Sequence, residues 1–203
     1  MNYLGHIVCS HGRAEVMMDN FLTDMLTHKE MLLLKEQKSL GLQLHWWLDE
    51  ATDHHPAIKS LHALFRPAHH KYSPVVVDLI LDFLIAHNWY RFRKVKYEDY
   101  CEEVFAIMMQ QRFRYSERIR KRIENMVASE WLLKQRSIEG LRFTLKAMDK
   151  RTSFPSQFEL AEHQLMHHFE QINELFWNFW QEIYRASEAY LLSLEVERNR
   201  DHS

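Results

Sequence analysis

The sequence predicts an all-α protein built as a single compact multi-helix domain. A chain of 203 residues with 46% hydrophobic residues can bury a substantial core, and its length suits one domain better than two. Only 4 Gly and 4 Pro leave little material for the tight turns of a many-stranded sheet. Apolar residues also recur at helical spacing over long stretches. These three observations together favour helices throughout.

Helical spacing is clearest near the carboxyl end, where apolar side chains follow one another three or four residues apart. They are Phe169, Ile172, Leu175, Phe176, Phe179, Trp180, Ile183 and Tyr184. Similar patterns predict helices over residues 13–28, 31–53, 56–66, 74–90, 97–112, 115–135, 138–149 and 156–193. The polar residues 196–203 should fray, so we expect the domain to cover residues 1–195.

Helix boundaries are predicted where the backbone chemistry changes. Pro56 follows an Asp-His-His run, and Ser73 offers an N-cap directly before Pro74 at the first helical position. The segment Ser153–Pro155 should open the last long helix in the same way.

Composition excludes several classes of protein. No apolar run approaches the roughly 18 residues that span a bilayer, and the amino-terminal segment is too short and polar for a secretory signal. We therefore expect a cytoplasmic protein without a membrane role. Cys9 and Cys101 are too few for a disulfide framework, so reduced thiols without a special role are expected. The formal charge of -2 and the lack of a recognition motif argue against nucleic acid as a partner.

Positive charge is concentrated in residues 112–122, which carry six cations and one glutamate. Two interpretations remain open. The segment could form a basic face for an acidic partner, or it could simply be the solvated side of two helices.

The best candidate for a metal site lies in the stretch GLQLHWWLDEATDHH. His45, Asp49 and Asp53 are four residues apart, so a helix stacks them on one face among apolar neighbours. Imidazole and carboxylate together are suitable ligands for a divalent cation. The alternative is a His-Asp hydrogen bond on a half-exposed helix.

Asp78 and Asp82 repeat this spacing within an almost entirely apolar helix. Two unpaired carboxylates there would be very costly, so either a cation or a buried basic partner must compensate them, and we favour the cation. Asp24 and His6 are single polar groups in apolar surroundings, and each alone is weak evidence.

Other chemistries have less support in the sequence. It contains no glycine-rich phosphate loop, no nucleophile elbow and no convincing Cys-His pair. Metal-assisted hydrolysis remains, in which a cation lowers the pKa of a bound water and offsets charge on a phosphoryl group.

Two segments are unusually specific, namely the opening MNYLGHI and GLQLHWWLDEATDHHP. Further segments cover nearly the whole chain, namely DNFLTDML, YSPVVVDLILDFLIAHNW, SEWLLKQRSIEGLRFTLKAMDKRT and FEQINELFWNFWQEI. Together they resemble the bacterial acyl carrier protein phosphodiesterases, whose helical fold resembles the HD-type metal phosphohydrolases.

The resemblance implies hydrolysis of the phosphodiester that joins 4'-phosphopantetheine to a serine of acyl carrier protein. It also implies a divalent metal, with manganese the first choice and magnesium or iron as alternatives. Carried over by position, the metal neighbourhood comprises His6, Asp24, His45, Asp49, Asp78 and Asp82. Of these, Asp24, His45 and Asp82 are the predicted catalytic residues.

The resemblance also gives the basic segment a partner. Acyl carrier proteins are small and strongly acidic, so electrostatic steering toward a basic face would speed their encounter with the enzyme. The predicted partner-binding residues are Arg112, Arg114, Arg118, Arg120 and Lys121.

Three positions depart from the family pattern. Asp19 stands where the family tends to have Gly, Trp46 where it has a basic residue, and Phe83 where it has His. If that His is a ligand or proton carrier, its loss would leave a slow, altered or inactive enzyme. Two alternatives therefore stay open, namely a catalytically degenerate helical binding module and a phosphohydrolase acting on another small phosphodiester.

Overall fold

The computed structural model describes residues 1–150, 152 and 156–201 as a set of packed helices. Over these residues it contains no strand, which confirms the all-α prediction. The helices are α1 (Tyr3–Val8), α2 (Ala14–Leu22), α3 (His28–Glu36), α4 (Leu40–His54), α5 (Pro56–His69), α6 (Ser73–His87), α7 (Tyr97–Gln111), α8 (Glu117–Ala128), α9 (Trp131–Lys134), α10 (Ile138–Asp149), α11 (Glu159–His167) and α12 (Phe169–Asp201).

Two predicted helices are each divided by a residue with positive φ. The prediction over 31–53 is wrong because Lys38, with φ 51°, ends α3, and Ser39 then caps α4 by accepting from the backbone N–H of Leu42. The prediction over 115–135 is wrong for the same reason, since Glu130 has φ 51° between α8 and α9. Periodicity alone does not detect such local breaks.

The carboxyl-terminal helices also differ from the prediction over 156–193. The chain breaks at His168 between α11 and α12, and α12 then continues through residues 196–201. The predicted opening at Ser153–Pro155 lies outside the described residues, and the domain boundary at residue 195 stays a prediction.

Helix α6 lies at the centre of the molecule. It is apolar on nearly every side, and all residues from Leu79 to Ala86 are buried. A helix that is hydrophobic all round must be surrounded by others, and α1, α5, α10 and α12 pack against it. Its two carboxylates therefore face protein rather than bulk water over part or all of their surface.

Helices α2 and α4 approach each other unusually closely because residue 41 is glycine. A Cβ at Gly41 would lie 2.5 Å from the carbonyl oxygen of Val16 and 2.6 Å from Cβ of Asp19. His45 follows one turn later on the same face of α4. This close contact brings its imidazole to the backbone of α2.

Two further expectations concern the cysteines and the membrane. Cys9 and Cys101 are buried free thiols, and burial raises the pKa of each to about 12. Among the described helices, none is both long and apolar enough to cross a membrane.

Candidate metal centre

Four side chains from three parts of the chain meet at one point. His6 comes from α1, Asp24 from the 3-10 turn after α2, and His45 and Asp49 from α4. Nε2 of His45 lies 3.1 Å from Oδ2 of Asp49 and 3.3 Å from Oδ1 of Asp24. Nε2 of His6 lies 3.4 Å from Oδ1 of Asp49. The two imidazole rings stack with centroids 4.5 Å apart.

Asn20 in α2 fixes the orientation of both imidazoles. Its side-chain oxygen accepts from Nδ1 of His6 at 2.8 Å, and its backbone oxygen accepts from Nδ1 of His45 at 2.9 Å. The amide cannot be turned around, because its Nδ2 donates to the carbonyl oxygen of His6 at 2.9 Å and to Oγ of Ser10 at 3.0 Å. Both imidazoles therefore carry a proton on Nδ1.

This arrangement leaves each neutral imidazole with a lone pair on Nε2. The lone pairs point at groups that can only accept hydrogen bonds, namely the carboxylates of Asp24 and Asp49 and, 3.2 Å from His6, the carbonyl oxygen of Met1. Acceptors that face acceptors repel unless a proton or a metal ion lies between them. Imidazoles held by hydrogen bonds at the other ring nitrogen are typical of metal sites.

The charges of the four groups are coupled. Burial lowers the pKa of His6. Burial also opposes the charge on His45, but hydrogen bonds to Asp24 and Asp49 raise its pKa to about 9. The hydrogen bond from His45 in turn lowers the pKa of Asp24, and the pKa of Asp49 is far below its usual range because the two imidazoles outweigh its burial. Without a cation, a proton on His45 takes the place that the cation would occupy.

The ligand set suits a divalent metal. One atom each from His6, His45 and Asp49 lies within 4.8 Å of the others. The two histidines are buried, whereas the side chains of Asp49 and Asp24 are 44% and 60% exposed. The cluster is thus held rigidly on one side and open to solvent on the other, which is the arrangement that a catalytic metal needs.

The structure does not bring Asp78 and Asp82 into this cluster. Asp82 is fully buried, and its two oxygens accept from the backbone N–H groups of Leu4 at 2.9 Å and Gly5 at 3.0 Å. Asp78 lies 3.1 Å from the amino group of Met1. The expected cation is therefore not needed to compensate either carboxylate. Their metal roles, and the catalytic role of Asp82, stay predictions.

Asp82 instead holds the helix that carries His6. Its carboxylate caps the first turn of α1, where free N–H groups and the helix dipole favour an anion. Burial nevertheless raises the pKa of Asp82 to about 7. Asp82 thus positions His6 through the backbone of α1 and does not contact the four side chains directly.

Sequence reasoning missed Asn20, although the residue stands in the apolar stretch DNFLTDML. A buried amide must satisfy its hydrogen bonds within the protein, and this could have marked it as a partner for His6. Asp53, the third member of the predicted series, is exposed and lies outside the cluster.

The three departures from the family pattern have separate surroundings. Asp19 is buried and accepts from the hydroxyls of Ser39 and Tyr115. Trp46 is 43% exposed, and Phe83 is buried and stacks on His87 with centroids 5.3 Å apart. None of the three supplies an atom to the cluster.

Most of the predicted partner-binding residues are paired within the chain. Arg112 bonds to Glu124 at 3.1 Å, Arg118 to Glu30 at 2.6 Å and Lys121 to Glu117 at 2.8 Å. Arg114 lies 3.7 Å from Asp19, and Arg120 lies over the ring of Phe113. Their role in partner binding stays a prediction, but most of the charge is already balanced.

A cavity of about 670 Å³ lies beside the amino-terminal residues. It is bounded by Asn2 and Tyr3, by Asp78 of α6, and by helices α8 to α10, including Phe143 and Ala147. Its lining is mainly apolar with several polar groups, and its volume is in the range of small-molecule sites. The same short α1 region borders both this cavity and His6.

Comparison with known proteins identifies the family. A family model described as acyl carrier protein phosphodiesterase matches residues 1–183. Proteins of that name from Escherichia coli O6:H1 (strain CFT073) and O45:K1 (strain S88) are 22% identical over 186 residues, covering 89% of this chain and 94% of each relative. No solved structure matches, so the HD-type likeness stays a prediction. The resemblance found in the sequence is confirmed, and the chain belongs to the acyl carrier protein phosphodiesterase family.

Proposed function

We propose that this protein is a metal-dependent phosphodiesterase that removes 4'-phosphopantetheine from holo-acyl carrier protein in the cytoplasm. The products are apo-acyl carrier protein, with a free serine hydroxyl, and a phosphomonoester. The family match supports the reaction. The observation that carries the mechanism is the pair of buried imidazoles whose Nε2 atoms face Asp24 and Asp49.

Manganese is the metal that we propose for this site. Two imidazole nitrogens with one or two carboxylate oxygens suit manganese or iron better than magnesium, which prefers oxygen ligands. His6, His45 and Asp49 would hold the ion, and Asp24 would lie at its exposed side. A divalent cation bound there would supply a Lewis acid and lower the pKa of a bound water.

The residues of the chain have separate tasks in this proposal. Asn20 keeps both Nε2 atoms unprotonated and aimed at the ion, and Asp82 keeps α1 in place. The side chain of Asp24 is 60% exposed, so its carboxylate would lie at the open side of the ion, where it could accept a proton from water. Nε2 of His45 lies beside both carboxylates and would bind the ion together with Asp49.

The cavity beside Asn2 and Tyr3 could hold the 4'-phosphopantetheine group, which we call the prosthetic arm. The prosthetic arm is a flexible chain with amide groups, which suits a mainly apolar cavity with a few polar lining residues. The buried Met1 contacts His6 of the metal cluster and Asp78 of the cavity wall, so it lies between the two.

A catalytically degenerate binding module is the second candidate, and the observation that favours it is Phe83 in place of the family His. The two candidates differ in metal binding and turnover. The intact group of His6, His45 and Asp49 supports the enzyme.

The test converts holo- to apo-acyl carrier protein in the presence of manganese and follows the mass of the carrier protein. We expect Asp49→Asn to lose both turnover and bound manganese. The matched control is His54→Gln, which changes an exposed histidine of the same helix outside the cluster. Unchanged holo-protein with the wild-type enzyme and a metal would refute the proposal, as would full turnover by Asp49→Asn.

A further inference from the structure

A second concave surface, separate from the metal cluster, lies where α5 meets the start of α6. It encloses about 650 Å³ and is lined mainly by basic side chains, and we refer to it as the basic pocket. Its polar lining residues are Lys59, His62, Arg66, His70, Lys71 and Ser73. No carboxylate lines it within the described chain, and it shares no residue with the metal cluster.

The cations of the basic pocket are less neutralised than those of residues 112–122. In the part of the chain that the structure describes, neither Lys59 nor Arg66 has a carboxylate within ion-pair distance. By contrast, Arg118 and Lys121 each have one within 3 Å. Burial lowers the pKa of His62, so at neutral pH the positive charge that no described carboxylate compensates comes from Lys59 and Arg66. Uncompensated positive charge in a concavity attracts an anion.

Ser73 supplies a hydroxyl to the wall of the basic pocket. The residue is only 3% exposed, but its hydroxyl is not among the fully buried polar atoms that lack a hydrogen-bond partner within the described residues. The hydroxyl therefore remains accessible from the pocket as a hydrogen-bond donor. Ser73 also begins the 15-residue α6, whose dipole favours negative charge at this end.

The backbone at the rim of the basic pocket is strained. His70 has φ 48° and ψ -119°, which is unfavourable for a residue with a Cβ. The preceding His69 fixes this geometry, because its Nδ1 bonds to the carbonyl oxygen of Ser156 at 3.1 Å and its Nε2 to Gln164 at 2.8 Å. Strain that neighbours hold in place often occurs at ligand sites. Here it brings His70 and Lys71 to the pocket.

We propose that the basic pocket binds the dianionic phosphate group of a phosphomonoester or of inorganic phosphate. A guanidinium, two ammonium groups and a hydroxyl around one concavity match an anion with several strong acceptor oxygens. The phosphate could come from free inorganic phosphate or from the phosphomonoester that the reaction releases. Only this second source rests on the proposed function.

The first experiment measures the Kd of inorganic phosphate for the manganese-loaded chain by calorimetry. Arg66→Gln and Lys59→Gln each remove one charge from the basic pocket, and we expect Arg66→Gln to weaken phosphate binding at least about tenfold. Lys35→Gln, on the exposed surface of α3, is the matched control and should bind like the wild type. The thermal midpoints of all variants check that the fold is retained.

A further variant separates the basic pocket from the metal cluster. Asp49→Asn weakens the cluster but should leave the Arg66-dependent binding of phosphate unchanged. Equal phosphate affinity in Arg66→Gln and Lys35→Gln would overturn the proposal. Loss of phosphate binding in Asp49→Asn but not in Arg66→Gln would also overturn it, because the anion would then lie at the metal.

A second experiment compares the Kd of inorganic phosphate with the Kd of 4'-phosphopantetheine. Tighter Arg66-dependent binding of the phosphopantetheine supports the reaction product as the source, and tighter binding of inorganic phosphate supports the free ion. Arg66-dependent binding of a polyglutamate peptide, without any binding of phosphate, would overturn the proposal in favour of an acidic protein partner. If carrier protein is not hydrolysed but phosphate binding still depends on Arg66, only the proposed function fails. If hydrolysis occurs but binding does not depend on Arg66, only the pocket proposal fails.

Discussion

The most informative perturbation is Asn20→Ala, because one amide determines the protonation of His6. The substitution removes three hydrogen bonds, those to Nδ1 of His6, to the carbonyl oxygen of His6 and to Oγ of Ser10. All three groups are buried and would be left without this partner. At about 1 kcal/mol for each bond, the free energy of unfolding should fall by about 3 kcal/mol.

The effect on manganese should be partial. His6 would lose the acceptor that fixes its Nδ1 proton, but His45 would keep the backbone oxygen of residue 20. Loss of such an outer hydrogen bond typically weakens metal affinity tenfold to a hundredfold. We therefore expect manganese affinity to fall within about that range without being abolished.

Two measurements test this reasoning, a urea unfolding curve of the metal-free protein and a manganese titration of the folded protein. Asn125→Ala, at an exposed position of α8, controls for the loss of an amide as such. If Asn20→Ala lowered stability but left manganese affinity unchanged, Asn20 would be a packing residue, and the argument from the protonation of His6 would be refuted.

Three further predictions concern the packing, the pH dependence and the cavity. Gly41→Ala should lower the free energy of unfolding by about 1–3 kcal/mol and weaken manganese binding, since its Cβ would meet the carbonyl oxygen of Val16; a urea curve and a metal titration like those of the wild type would contradict this. Asp82 has a folded-state pKa of about 7, above its ordinary 3.8, so its stabilising contribution is present below about pH 4 and is lost as the pH rises through 7, by up to about 4 kcal/mol. In urea unfolding of the metal-free protein, Asp82→Asn should remove this part of the decline between pH 4 and 7, and an unchanged decline would show that Asp82 is not its source. Ala147→Trp fills the cavity beside Tyr3 and should raise the KM for holo-acyl carrier protein while leaving manganese affinity intact; an unchanged KM would mean that the arm binds elsewhere.

Much of the fold could be predicted from periodicity, because nearly every helix buries one apolar face. The missed breaks at Lys38 and Glu130 depend on single residues with positive φ, which carry no strong sequence signal when they are not glycine. The long helix α12 was predicted to end too early, since polar residues such as Glu197 can continue a helix whose earlier turns are already packed.

The site could be predicted only in part. His45 and Asp49 share a helix, so their spacing alone brought them together, and the structure places them in contact. That His6 joins them depends on how α1 packs against α2, which no local pattern contains. The partners of Asp78 and Asp82 could not be predicted, because burial of a carboxylate shows that it needs a partner but not which group supplies it. Their partners are backbone N–H groups and an amino group, which a search for basic side chains does not find.

Anomalous X-ray scattering at the manganese edge, from crystals soaked in manganese chloride, tests the central claim most directly. The imidazoles of His6 and His45 and the carboxylate of Asp49 should surround one strong anomalous peak, with Asp24 at its open side. An anomalous peak beside Asp82 would contradict the account. A structure without any peak, in which the Nε2 atoms of His6 and His45 still contact carboxylates, would contradict it too.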